Sequence, residues 1–274
     1  MNPREINKNK AINLINTFNQ GFYAVGRTNM VIPSIKKAEY YSEPKLREAS
    51  HIAKKPIELK DISVEVVPVS TVDAVHSEYK RLKSEDRELE VKVGVLNFAS
   101  AKNPGGGFIT GAMAQEEALC QASSLYLQLK DSKMYEYNRA MCSSGLYNDS
   151  MNVSETIFIK DSRGNFVMPS YATVVTSAAV NHKALKRFEY NFVDFTMKRR
   201  MEEIIKMFIR YNCKVLILGA FGCGVFGNDP KFVAETWRDL LSEYGGYFEK
   251  VVFAVMNRKD NNFEVFKDTF EVNK

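Results

Sequence analysis

Two nearly continuous apolar runs, Val91–Asn97 (VKVGVLN) and Val215–Leu218 (VLIL), do most to limit what this chain can fold into. Strands without polar alternation belong to a sheet covered on both faces. Each run leads into a glycine-rich loop and then a helical pattern. Ser63–Val69, Thr173–Ala178 and Val251–Val255 give further strand signals. Helical spacing predicts helices over Pro3–Phe18, Thr71–Lys83, Gln115–Leu129, Met197–Tyr211 and Phe263–Phe270. Another begins at Pro230, with Asp229 as its cap. Phe18 to about Pro56 reads as irregular, broken by Gly21, Gly26 and Pro33. Strands alternating with helices predict an α/β fold, a three-layer α/β/α sandwich with a mixed central sheet. In such sheets ligands bind beyond the carboxyl ends of the strands. The two glycine-rich loops are therefore expected to meet at one edge and build one site.

No long linker divides the chain, so residues 1–274 are expected to form one domain, with about 1–60 as a helical extension. The charged run Lys80–Glu90 fits an exposed helix end and turn. Cys120, Cys142, Cys213 and Cys223 form no CxxC pair and lie far in sequence from His51, His76 and His182. A zinc site and a disulfide framework are both disfavoured, and reduced thiols in the cytoplasm are the expectation. No apolar run is as long as a membrane span, and MNPREINKNK lacks the apolar core of a signal peptide. A net charge of +5 suits a phosphate-rich ligand only weakly, because no basic run is long enough for a nucleic-acid patch.

Asn97–Glu117 is the most informative stretch. Gly105, Gly106 and Gly107 leave bare backbone whose N–H groups can turn inward around phosphate oxygens, and the following helix adds its positive end. A tight turn would explain the glycines alone. Neither the dinucleotide fingerprint GxGxxG nor the P-loop is present, which disfavours redox-cofactor and NTP chemistry. Gln115, Glu116 and Glu117 stand where the helix begins. Ordinary helix capping would account for them, but beside a bound diphosphate one carboxyl would have its pKa raised while the helix dipole pulls the other way. Neighbouring helical residues project about 100° apart, so the two glutamates cannot flank one bond as a glycosidase pair does. One acid/base, with the second carboxylate on ribose hydroxyls, is the better expectation.

The second loop carries Gly219, Gly222, Gly224 and Gly227, more glycines than a strand–helix turn needs. Phe221 and Phe226 could face ligand or anchor the loop in the core. Cys223 has no basic neighbour in sequence and reads as an inert small residue.

Gly105–Gly107, seven residues, then Gln115–Glu117 resembles the GGG-x(6–8)-QEE signature of poly(ADP-ribose) glycohydrolases. LNFASAKNPGGGF, QEEALCQASSLY and LGAFGCGVFGNDP are similar to the microbial-type branch. That resemblance implies a macrodomain fold with ADP-ribose in a cleft at the crest of the sheet. Glu117 would be the acid/base that protonates the departing ribose oxygen and then activates water, and Glu116 would hold ribose hydroxyls. Asn103, Gly105, Gly106, Gly107 and Gln115 would contribute to substrate binding from the first loop. Gly222, Cys223, Gly224, Val225 and Phe226 would form the diphosphate loop, with Phe226 ordering the terminal ribose. The substrate would be poly(ADP-ribose) or ADP-ribosylated protein and the product ADP-ribose. No metal or other cofactor is called for, and a monomer is expected. A hydrolase of single ADP-ribose units and a non-catalytic ADP-ribose reader remain open. A nucleotide- or RNA-binding domain is a weaker third reading.

Overall fold

The apolar runs form the inner strands of a seven-stranded sheet in the computed structural model, which describes residues 2–271. In chain order the strands are β1 (Phe22–Val25), β2 (Thr28–Val31), β3 (Glu39–Tyr41), β4 (Ser63–Val67), β5 (Lys92–Phe98), β6 (Met151–Lys160), β7 (Phe166–Ser177), β8 (Cys213–Leu218) and β9 (Lys250–Ala254). The helices are α1 (Pro3–Gln20), α2 (Glu43–Ala49), α3 (Thr71–Ser84), α4 (Gln115–Ala122), α5 (Leu125–Leu129), α6 (Lys133–Met141), α7 (Val193–Arg210), α8 (Pro230–Tyr244) and α9 (Asn262–Glu271).

The sheet order is β3-β6-β7-β5-β8-β9-β4. Strands β7, β5, β8, β9 and β4 run parallel, whereas β6 is antiparallel to both β7 and β3. Strands β1 and β2 form a separate antiparallel hairpin.

Alternate side chains of the inner strands enter two cores, as the period of two requires. Leu96, Val175, Leu216, Leu218, Val251 and Phe253 pack with α2, α7, α8 and α9. Val93, Val95, Val174, Val215, Ile217 and Val252 pack with α1, α3 and the helices from α4 to α6. Sandwiching the sheet between two helical layers is what permits these strands to be apolar on both faces. No helix among the described residues is long and apolar enough to cross a membrane.

The structure departs from the sequence reading in three places. The stretch expected to be irregular holds β1, β2, β3 and α2. The single helix expected over Gln115–Leu129 is two, α4 and α5, broken at Ser123 and Ser124. Ser123 Oγ donates to the Leu119 carbonyl at 2.7 Å, and Ser124 exchanges hydrogen bonds with the backbone of Ile157. These serines offer the chain an alternative to the helical ladder. Finally, β6, most of β7 and α6 fill a region in which only Thr173–Ala178 was expected as a strand.

The β6–β7 hairpin is long and curls around α3. Its register shifts between Phe158 and Lys160. His76 of α3 bridges Ser170 Oγ and the Lys160 carbonyl at 2.8 and 2.9 Å. At the tip, the Ser162 N–H donates to Asp73 in the first turn of α3. This curl carries the hairpin tip to the carboxyl edge of the parallel strands.

Candidate active site

At that edge the loops after β4, β5, β8 and β9 and the β6–β7 tip surround a cleft of about 840 Å³. That is within the usual size range of small-molecule sites. The glycine loops after β5 and β8 face each other across it because β5 and β8 are neighbouring parallel strands.

The first loop is shaped around the two glutamates. Gly105 and Gly106 have φ of +65° and +59°, a region that L side chains rarely adopt. A Cβ on Gly106 would collide with Glu117 Oε1 and come within 3.0 Å of Glu116 Oε2, so this bare backbone fits between the two carboxyls. Glu117 Oε1 accepts the Gly107 N–H at 2.8 Å, and Oε2 accepts the Ala114 N–H at 3.0 Å. The second bond is half of a capping box at the start of α4. Ala114 has no side-chain oxygen with which to return it.

Glu116 points elsewhere, as the helical spacing requires. Its Oε2 accepts the Ser100 N–H at 2.7 Å and its Oε1 the Asn97 amide at 3.3 Å. Burial raises the Glu116 carboxyl to about 8, and the hydrogen bonds from Ser100 and Asn97 only partly offset it. A neutral acid therefore sits beside Glu117 near pH 7. Both carboxyls are buried yet line the cleft.

Gln115 also lines the cleft, but its amide is engaged with protein. Its Oε1 accepts the Phe98 N–H at 2.9 Å, while Nε2 donates to the Leu96 carbonyl at 2.8 Å and to Thr71 Oγ1 at 3.3 Å. It continues the ladder of β5 past the last pairing with β8, Val95 with Ile217. The start of α4 is thereby pinned to the sheet. Helix α1 supports the loop from outside, through Asn7 Nδ2 to the Gly111 carbonyl at 3.3 Å and Gln121 Nε2 to the Asn7 carbonyl at 2.9 Å.

In the second loop, Gly222 has φ +76°, and a Cβ there would strike Asn228 Nδ2 and Ala179. Asn228 donates to the Gly222 carbonyl at 3.1 Å and to the Val180 carbonyl at 2.8 Å, lacing this loop to the end of β7. Trp237 of α8 is fully buried, and its indole N–H donates to the Gly219 carbonyl at 3.2 Å. Gly224 by contrast faces open space.

The cleft brings together Gly106, Gln115, Glu116, Glu117, Gly222, Gly224, Val225 and Phe226. Other expected site residues lie outside its lining. Gly105 is buried beneath the loop. Gly107 presents its N–H to Glu117. Asn103 is exposed on the outer turn, where its N–H donates to Ser100 Oγ and its carbonyl accepts from Gly106. Cys223 is half-buried, and burial pushes its thiol well up, as suits an inert residue. The two loop phenylalanines divide. Phe221 is buried with its ring 5.8 Å from Phe98, whereas Phe226 is half-buried in the cleft wall, 6.3 Å from the Tyr147 ring.

Sequence reasoning missed much of the rim: Arg163 at the hairpin tip, Asp73, Met256 and Arg258. Arg163 was out of reach, because the curl that carries it there depends on long-range packing. The residues after β9 could have been found from the rule that placed the two glycine loops.

Comparison with known proteins matches this arrangement. The family model "microbial-type PARG, catalytic domain" matches residues 11–160, more than half of the chain and including Gln115–Glu117. Poly(ADP-ribose) glycohydrolase from Thermomonospora curvata superimposes with a TM-score of 0.85 at 27% identity, covering 97% of this chain and 100% of that one. A structure of the T. curvata enzyme bound to the inhibitor ADP-HPD gives 0.83 at 28% identity, covering 96% and 98%. Poly(ADP-ribose) glycohydrolase from Deinococcus radiodurans in complex with ADP-ribose gives 0.74 at 33% identity, covering 86% and 94%. No curated protein matches. With a family model over more than half of the chain, spanning the first glycine loop and the paired glutamates, this chain belongs to the microbial-type PARG family.

Proposed function

We propose that this protein is a poly(ADP-ribose) glycohydrolase that hydrolyses the ribose–ribose O-glycosidic bonds of its polymer and releases ADP-ribose. One observation carries the reading: a glutamate, Glu117, is fixed by two backbone N–H groups at the wall of a nucleotide-sized cleft between two glycine loops. Relatives at this level of similarity were crystallised with ADP-ribose or ADP-HPD in complex.

In this reading the backbone of Gly222–Phe226 takes the diphosphate, whose charge also favours the cationic rim residues Arg163 and Arg258. The apolar surface of Val69, Val255 and Met256 is offered to the adenine. Phe226 packs against the terminal ribose, and neutral Glu116 holds ribose hydroxyls. Gln115 acts as a positioning residue, since its amide is already committed to β5.

Glu117 in its protonated form gives its proton to the departing ribose oxygen as the C–O bond breaks and positive charge develops on the anomeric carbon. The resulting carboxylate then takes a proton from the attacking water, whose oxygen bonds to that carbon. The cycle returns Glu117 to its protonated form and leaves free ADP-ribose. Holding the diphosphate remote from the breaking bond supplies positioning.

The test compares two substrates, purified poly(ADP-ribose) and a protein carrying single ADP-ribose units. Release of ADP-ribose from the polymer supports the assignment. Release only from the singly modified protein replaces it with a mono-ADP-ribosyl hydrolase, and binding without release from either replaces it with a reader.

A further inference from the structure

The wall behind Phe226 continues outward as an aromatic strip. The His182 N–H donates to the Phe226 carbonyl at 3.0 Å. The His182 ring then meets the Tyr190 ring edge-on at 5.9 Å, and Tyr190 Oη donates to the His182 carbonyl at 3.3 Å. Tyr190 is 52% exposed and Phe188 64% exposed, an unusual outlay of aromatic surface in one short turn. Lys183, Lys186 and Arg187 stand exposed in the same segment. Arg199 and Arg200 of α7 are both bound by Asp149, but none of Lys183, Lys186 and Arg187 makes an ion pair among the described residues. The acidic groups of the segment are few: Glu189 is buried and accepts the Lys186 N–H, and Asp194 is exposed.

We infer that this strip, centred on Tyr190 with Lys186 and Arg187, is a second substrate subsite that holds the departing ADP-ribose unit of the polymer. The inference rests on the function proposed above. In the polymer, the ribose leaving from Glu117 carries an adenine and, a few bonds further, a diphosphate. Exposed rings next to unpaired cations match that chemistry, because bases stack on aromatic faces while cations meet the phosphates. Free ADP-ribose fills only the cleft and has no departing unit. The strip therefore adds affinity for polymer and none for the product.

The experiment measures polymer KM and kcat, and ADP-ribose affinity, for the wild type, Tyr190→Ala, Tyr190→Phe and the charge reversal Lys186→Glu/Arg187→Glu. Tyr190→Ala and the charge reversal are expected to raise polymer KM about tenfold, with ADP-ribose affinity unchanged. The charge reversal also flattens the salt dependence of KM, and Tyr190→Phe keeps the wild-type KM because the stacking face remains. Wild-type KM in both Tyr190→Ala and the charge reversal overturns the subsite while leaving the glycohydrolase intact. An inactive wild type overturns the proposed function, and the subsite falls with it.

Discussion

The carboxylate of Glu117 and the N–H of Gly107 meet at 2.8 Å, so the first turn of α4 and the glycine loop are joined through the group we assign to proton transfer. The second oxygen of Glu117 is held by Ala114 at the helix start. The glutamate that caps the helix is thus the one to which we assign the catalytic proton. Two N–H bonds fix its carboxylate plane while lone pairs remain for the cleft.

Gly106→Ala separates the loop's backbone role from ordinary turn flexibility. The methyl would sit in a left-handed conformation costing about 1–2 kcal/mol, and it would strike Glu117 while crowding Glu116. The expected outcome is a lower thermal midpoint together with turnover reduced by at least about a hundredfold, since the acid/base is displaced. A variant that melts lower but turns over normally would show that the glutamates tolerate a shift.

Glu116 gives the pH dependence a defined sign. Burial raises its carboxyl from 4.5 to about 8, so the folded protein retains a proton that the unfolded chain releases. Its contribution to stability is fully present below about pH 4.5 and is lost as pH rises to about 8. Ionised Glu116 would also repel a bound diphosphate. ADP-ribose affinity should therefore fall as pH passes about 8 in the wild type and stay level in Glu116→Gln, which keeps the neutral shape. Titration calorimetry across pH 6–9 would decide, and an equal fall in both proteins would assign the effect to another group.

Gly224→Val probes the second loop with little effect on its packing, because a Cβ there meets nothing within 4 Å. Stability should stay near the wild-type value, while ADP-ribose binding weakens about tenfold or more as the valine enters the space we assign to the diphosphate. Unchanged affinity would remove this part of the loop from the site.

What the sequence disclosed follows from its physics. Strands β5, β8 and β9 are inner and parallel, so their apolar runs declared them, and the loops after β5 and β8 were legible as one site for that reason. Strand β6 and the part of β7 before Thr173 were hidden because they bury polar side chains. Asn152, Ser154, Thr156 and Ser170 are buried, and Thr156 is satisfied by Gln128. Pro169 lies in β7 where β7 pairs only with β6, ahead of the Thr173 register with β5, so the proline leaves no ladder bond unmade. The adjacent glutamates were readable as having different tasks from helical spacing alone. That Gln115 would serve the sheet rather than the ligand required the partners Leu96 and Phe98, which lie 19 and 17 residues away in sequence.

The central claim is tested most directly by ADP-ribose release from purified poly(ADP-ribose), wild type beside Glu117→Gln, with the fold of each checked by melting and its ligand site by ADP-ribose binding. The account predicts release by the wild type and a loss of about a hundred- to ten-thousandfold in the variant, with ADP-ribose still bound. Near wild-type release by Glu117→Gln would contradict it, because an amide in that position has no carboxylic proton to give.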